Sequence, residues 1–211
     1  RLRYARHASS PEPPVSAHEH PEPVVALRGA MLSWTGDPFA VGAKRARRYD
    51  ADAIVAMAGA RILHAGAAPT VLRALPRGTK VERLPRDALM MPGFVDCHVH
   101  YPQLPGIGSC GTQLLDWLTR YTFPAEAAFA DHRVARRVAR DYLDENLRQG
   151  ITTAAVFGTV HPASVDALMR EAAKRSLRLI AGKVLMDRNA PRALRDTAMR
   201  GYDQSKALIA R

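Results

Sequence analysis

The sequence predicts an α/β fold in which a small β-rich region precedes a parallel sheet covered by helices. Two observations favour this class. Short apolar runs separated by glycine and proline occupy residues 24–91, and after residue 91 strand-like runs alternate with patterns of helical periodicity. Strands that alternate with helices along the chain form parallel sheets. We therefore expect two domains, over residues 24–91 and 92–211.

Composition excludes several classes of protein. The net charge of +11 is spread along the 211 residues, and the dense basic run at 44–48 has no interleaved aromatic residues, so we expect no nucleic-acid partner. No stretch approaches the roughly 18–20 apolar residues of a membrane span, so we expect no membrane partner. Cys97 and Cys110 cannot form a disulfide framework, which favours a reducing, cytoplasmic location.

The first 91 residues divide into a tail and a small sheet. Residues 1–23 hold five prolines and no apolar periodicity, which predicts a disordered N-terminal segment. From residue 24 onward, apolar or alternating runs at 24–27, 53–57 and 61–65 are punctuated by glycine, and they predict a small antiparallel sheet. A region of this size buries too little surface for an independent core, so we expect it to pack against a larger domain.

The first strand and helix after residue 91 have clear local signals. The strand spans residues 94–100 and follows a Pro92-Gly93 turn. Asp131 is expected to cap a helix that ends at Gly150. The residues expected to face inward recur at helical spacing: Val134, Val138, Tyr142, Leu143 and Leu147.

The pattern then repeats. Residues 151–157 form a continuous apolar and β-branched run, which is typical of a strand buried on both faces. Ser164 is expected to cap the next helix, whose inward residues are Val165, Leu168, Met169 and Ala172. Residues 177–186 predict a third strand, and residues 202–211 predict part of a third helix. The region after residue 91 is therefore expected to contain three βα units.

His98 and His100 form the candidate metal site. Because they are two residues apart on a strand, their side chains leave the same face and can converge on one ion. They lie at the carboxyl end of the strand, where barrel and open-sheet enzymes place their sites. Neutral imidazoles suit Zn²⁺, which makes water acidic enough to supply hydroxide near neutral pH. The alternative is a pair of strand-end histidines with satisfied hydrogen bonds.

Several separate segments carry a family resemblance. The run PGFVDCHVH, preceded by a small β region, resembles the first barrel strand of the amidohydrolase superfamily. Within that superfamily, four segments resemble the guanine deaminase family: HVHYPQ at 98–103, LLDWLTRYTFPAE at 114–126, TTAAVFGTVHPASVDAL at 152–168 and IAGKVLMDRNAP at 180–191. The resemblance covers most of residues 90–211, is looser before residue 90 and does not extend to the first 23 residues.

The resemblance implies a fold, a metal and a reaction. The fold is a (β/α)8 TIM barrel of the amidohydrolase type, of which residues 92–211 would supply the first three βα units, preceded by a β-sandwich subdomain over residues 24–91. One Zn²⁺ ion would be held by His98, His100, a later histidine and a late aspartate. The implied reaction is the hydrolytic deamination of guanine to xanthine and ammonia.

The resemblance also implies substrate contacts. It assigns Gln103 to a purine contact, which suits an amide because an amide both donates and accepts hydrogen bonds. Trp117 is a candidate wall of the purine pocket, with a short amphipathic helix over residues 114–118 as the alternative. Tyr101 is a candidate substrate contact, and shaping the loop is its alternative role. Homodimers are common in this family, which makes a second copy of the chain a candidate partner.

No catalytic acid or base is assigned within the chain. The family's third histidine ligand, its general-base glutamate and its aspartate correspond to positions beyond residue 211, and neither His132 nor His161 is placed to replace them. We therefore expect the chain to be the N-terminal half of a guanine deaminase and to be inactive alone. Two alternatives stay open: another amidohydrolase acting on a related purine or pyrimidine, and a non-catalytic remnant or interaction module.

Overall fold

The computed structural model describes residues 22–111 and 113–211. The predicted disordered segment over residues 1–23 lies outside this range, except for its last two residues. The chain divides into two compact units, with the boundary between Pro92 and Gly93. None of the helices in the described ranges is both long and apolar enough to cross a lipid bilayer.

The described residues of the first unit form one mixed sheet and short helices. The strands are β1 (Val24–Trp34), β2 (Arg47–Ala58), β3 (Arg61–Ala67), β4 (Lys80–Arg83) and β5 (Leu89–Met90), and the helices are α1 (Pro38–Val41), α2 (Ala43–Ala46) and α3 (Ala68–Ala74). The strand order is β3-β2-β1-β4, with β5 also paired to β1. The buried core of this unit consists of Ala26, Ile54, Ala56, Ala68 and Val71.

The prediction of an antiparallel sheet is correct for one part of this unit and wrong for the other. Strands β1 and β2 are antiparallel, as are β2 and β3, which are joined by a turn at Gly59 with φ +54°. Strands β4 and β5, however, both run parallel to β1. Helix α3 carries the chain back between β3 and β4, and such a crossover is what parallel strands require.

The second unit contains the three predicted βα units. Its strands are β6 (Phe94–His100), β7 (Ile151–Phe157) and β8 (Arg178–Gly182), and they form a parallel sheet in the order β6-β7-β8. Its α-helices are α4 (Leu114–Trp117), α5 (Phe123–Ala127), α6 (His132–Arg148), α7 (Pro162–Ala173) and α8 (Ala198–Ile209). Short 3-10 helices span Tyr101–Gly106, Ala128–Ala130 and Arg192–Leu194, and a π-helical turn spans Leu118–Thr122.

One predicted helix cap is correct and the other is wrong. The Asp131 carboxylate caps α6 by accepting a hydrogen bond from the Arg133 backbone N–H at 2.8 Å. Helix α7 begins earlier than predicted, because Pro162 occupies its first turn and His161 is the N-cap residue. Ser164 therefore lies inside the helix, where its hydroxyl accepts a hydrogen bond from the Thr159 backbone N–H.

The prediction that β7 is buried on both faces is wrong. Ala154 and Val156 are buried in the core shared with α6 and α7, whereas Thr152 and Phe157 on the strand are exposed. The described residues of the strand thus alternate between buried and exposed or half-buried positions. Helix residues Leu147 and Met169, both expected to face inward, are each 44% exposed.

Candidate metal and substrate site

The two predicted metal ligands lie at the end of β6 with their rings close together. The ring centroids of His98 and His100 are 5.3 Å apart. Two imidazoles on one tetrahedral zinc ion, with Zn–N distances of about 2.0–2.1 Å, have ring centroids about 5 Å apart. The spacing of this pair therefore fits two ligands of one metal ion.

An aromatic side chain from the neighbouring strand orients both imidazoles. Phe157, the last residue of β7, stacks on His100 with a centroid distance of 4.7 Å and an interplanar angle of 12°, and its centroid is 5.1 Å from that of His98. Burial lowers the pKa of His100, and the neighbouring His98 lowers it further. Both effects favour the neutral imidazole, which is the form that binds a metal.

The pair is an incomplete metal site. A catalytic zinc site normally has three protein ligands. Within residues 22–111 and 113–211, no group of three histidine, cysteine, aspartate or glutamate side chains could hold a metal ion. His132 is the first residue of α6 and His161 precedes α7, so neither is a third ligand beside the pair. The residues present fit part of a zinc site.

The predicted site residues all line one cavity of about 520 Å³. They are the metal ligands His98 and His100 and the candidate substrate residues Tyr101, Gln103 and Trp117. Apolar side chains of Leu104 and Ile107 complete part of the wall. A larger cavity of about 660 Å³ between α6 and α7 contains none of these residues. Residues separated in sequence are thus brought together beside the histidine pair.

Gln103 is held by an acidic side chain that the sequence analysis missed. It lies on the 3-10 helix Tyr101–Gly106, and its Nε2 donates a hydrogen bond to Oε1 of Glu126 at 3.2 Å. Glu126 belongs to α5 and is only 5% exposed. Burial raises the pKa of Glu126, and the hydrogen bond from Gln103 offsets part of that rise. Glu126 is the last residue of the segment 114–126 that carries the family resemblance, but its local sequence gives no sign of its burial or of its contact with Gln103.

Tyr101 is placed in the protein core. It is 1% exposed, and its ring packs edge-on against Phe129 with a centroid distance of 5.4 Å. Its hydroxyl donates a 2.6 Å hydrogen bond to the backbone carbonyl of Ser164. Burial raises the pKa of Tyr101, so the hydroxyl stays protonated and can donate. This arrangement supports the loop-shaping role, and substrate contact by Tyr101 stays a prediction.

Trp117 is fixed at the other side of the cavity. Its indole Nε1 donates to the Ser109 hydroxyl at 3.2 Å, and that hydroxyl donates to the Gly106 carbonyl at 2.6 Å. Gly111 has no room for a side chain, because a Cβ atom there would lie 2.6 Å from Cβ of Trp117. The loop after the 3-10 helix therefore holds the indole in one position.

Comparison with known proteins identifies the same group that the sequence resembles. A model of the amidohydrolase family matches residues 89–211. The guanine deaminase of Escherichia coli K12 is 54% identical over 126 residues, which are 60% of this chain and 29% of that protein. The probable guanine deaminase of Deinococcus radiodurans is 40% identical over 187 residues, which are 87% of this chain and 42% of that protein.

Solved structures give a consistent result. The guanine deaminase structure from Bradyrhizobium japonicum has a TM-score of 0.82 and 33% identity, covering 89% of this chain and 41% of that one. The structure of the E. coli guanine deaminase has a TM-score of 0.80 and 41% identity, and the match covers 88% of this chain and 43% of that one. These matches confirm the predicted fold class and the family resemblance. The chain spans less than half the length of each of these relatives.

Proposed function

The chain belongs to the amidohydrolase family, and from this premise we propose that it supplies the N-terminal part of a zinc-dependent guanine deaminase. The reaction would be guanine plus water giving xanthine plus ammonia. The observation that carries the proposal is the His98–His100 pair, with rings 5.3 Å apart at the end of a barrel strand and in one cavity with Gln103. The similarity to guanine deaminases supports the choice of substrate.

The residues of this chain would bind the metal and orient the substrate. His98 and His100 would hold the zinc ion, which when bound supplies a Lewis acid that makes water easier to deprotonate. Phe157 supports both imidazoles, because it stacks on His100 and packs at a tilt against His98. Gln103 would bind the edge of the purine ring through its amide, and the indole of Trp117 offers a flat apolar surface for the ring plane.

Proton transfer to the departing amine requires an acid or base in addition to these residues. The family resemblance places that carboxylate beyond residue 211, so we assign no catalytic residue within this chain and expect residues 1–211 to be inactive alone. We also propose a cytoplasmic location, which is supported by the two free and exposed cysteines, Cys97 and Cys110. A second copy of the chain stays a candidate partner.

The test combines metal analysis with turnover of three substrates, using the protein as its native source makes it. We expect about one zinc per subunit and release of ammonia from guanine, but not from adenine or cytosine. His98→Asn and His100→Asn should each lower the zinc content to about a tenth or less, because each removes a ligand whose loss costs metal affinity heavily. His64→Asn is the matched control, since His64 is exposed on β3.

Three results would refute the proposal. One is preferential deamination of adenine or cytosine, which would favour another amidohydrolase of related specificity. Another is a complete absence of turnover in a zinc-loaded protein, which would favour a non-catalytic role. The last is unchanged zinc content in both histidine variants.

A further inference from the structure

We propose that Glu126 is a positioning residue that fixes the side-chain amide of Gln103 in the orientation that reads the ring edge of the substrate. The inference rests on the proposed function for the identity of the substrate. It rests on the geometry of the two side chains for the positioning itself.

Glu126 is a buried acid whose side chain accepts a hydrogen bond from an amide. It is 5% exposed, and among the residues that the structure describes no lysine, arginine or histidine forms an ion pair with it. Its side-chain hydrogen bond in those ranges is the one received from Nε2 of Gln103. Burying a carboxylate without a charged partner is unfavourable. The hydrogen bond from Gln103 offsets part of this cost, and Gln103 in turn lines the cavity.

The chemistry of the two groups determines which way the amide faces. Nε2 of Gln103 donates to Oε1 of Glu126, so the NH₂ group of Gln103 faces Glu126 and its carbonyl oxygen faces elsewhere. Gln103 lines the cavity beside His98 and His100. The amide therefore offers the cavity one acceptor and one remaining N–H in a fixed order. Such a pair complements a ring edge on which an N–H donor lies next to an acceptor nitrogen, as in guanine.

Both residues are supported by short, restrained helices. Gln103 follows Tyr101, which is anchored in the core through Ser164, and it lies between Pro102 and Pro105 in the 3-10 helix. Glu126 lies two residues after Pro124 in α5. The backbone at both positions is therefore restrained, and a flip of the side-chain amide is one freedom that Gln103 keeps. Glu126 removes that freedom.

The kinetic test is a double-mutant cycle in the zinc-loaded protein as its native source makes it. We expect Glu126→Leu, whose side chain cannot accept a hydrogen bond, to raise the KM for guanine about tenfold, the effect of one lost hydrogen bond, with kcat within about threefold of wild type. Gln103→Ala should have a similar effect. The double variant should be no worse than Gln103→Ala, because Glu126 acts through Gln103. Exposed Glu82→Leu is the matched control. If the increases in KM caused by the two single substitutions multiply in the double variant, the inference is overturned.

A second measurement is independent of turnover. Glu126→Leu keeps a buried side chain of similar size but cannot accept a hydrogen bond. We expect the side-chain amide protons of Gln103, followed by NMR, to exchange with water at least about tenfold faster in this variant than in the wild type. Unchanged exchange would overturn the positioning role. A wild-type protein with no guanine turnover would refute the proposed function and the substrate part of the inference, while the exchange result would still decide whether Glu126 holds the amide.

Discussion

The hydroxyl of Tyr101 offers a sharp way to separate a packing role from a substrate role. Tyr101→Phe removes the 2.6 Å hydrogen bond to the Ser164 carbonyl and keeps the ring that packs edge-on against Phe129. The change is thus reduced to one buried, uncharged hydrogen bond, which contributes about 0.5–1.5 kcal/mol. The Ser164 carbonyl lies inside α7 and keeps its intrahelical partner, so we expect a loss of about 1 kcal/mol in the free energy of unfolding.

Urea unfolding measures this loss. The unfolding of the protein as its native source makes it is followed by circular dichroism. In that protein Tyr101→Phe should lower the unfolding free energy and leave the KM for guanine unchanged. Tyr49→Phe is the matched control, because Tyr49 is 61% exposed and should change stability by less than about 0.5 kcal/mol. A raised KM with unaltered stability would refute the reasoning and place Tyr101 against the substrate.

Two further predictions concern buried charges. Lys183 and Asp196 form an ion pair with an Nζ–Oδ2 distance of 2.5 Å and side chains 0% and 4% exposed. Lys183→Met leaves the buried Asp196 carboxylate with the longer, 3.7 Å ion pair to the exposed Arg200 and the hydrogen bond from the Thr197 backbone N–H, and it should cost about 3 kcal/mol in urea unfolding. Hydrogen bonds from Lys174 and Arg175 lower the pKa of Glu171 from 4.5 to about 2. The contacts of ionised Glu171 with these two cations therefore stabilise the fold above about pH 4.5, and this stabilisation is lost as the pH falls toward about 2. Glu171→Gln should make the urea midpoint of unfolding depend less on pH over that interval.

Each of these has a control on the surface. Asp116→Asn breaks the exposed ion pair with Arg120 and should cost less than about 1 kcal/mol. Glu82→Gln should leave the acid limb of the stability profile as it is in the wild type. Wild-type stability in Lys183→Met, or an unchanged acid limb in Glu171→Gln, would contradict the assignments of these ion pairs.

The elements with local signals were predictable from the sequence. Asp131 and Gly150 mark the ends of α6, because a cap and a helix-ending glycine act within a few residues. The spacing of His98 and His100 predicted a shared direction, because alternation along a strand is also local. These features need no information about distant parts of the chain.

The features that were missed depend on contacts between distant residues. The third strand was predicted to span residues 177–186 but ends at Gly182, and the next residue, Lys183, forms a buried ion pair with the distant Asp196. The role of Glu126 depends on the position of α5 beside Gln103, 23 residues earlier in the chain. The parallel pairing of β4 with β1 likewise depends on the path of the chain through α3. No pattern within a short window of sequence contains these partners.

The hydrogen bonds around Ser164 have a consequence for engineering this protein. Its carbonyl accepts from Tyr101 and its hydroxyl accepts from Thr159, while the Thr159 carbonyl accepts from the Val184 backbone N–H. These bonds link the segments that follow β6, β7 and β8. Substitutions within one hydrogen-bonded network are not additive. A library that varies the three segments one at a time would therefore discard combinations that function only together, and ring specificity is better explored by varying the linked segments jointly.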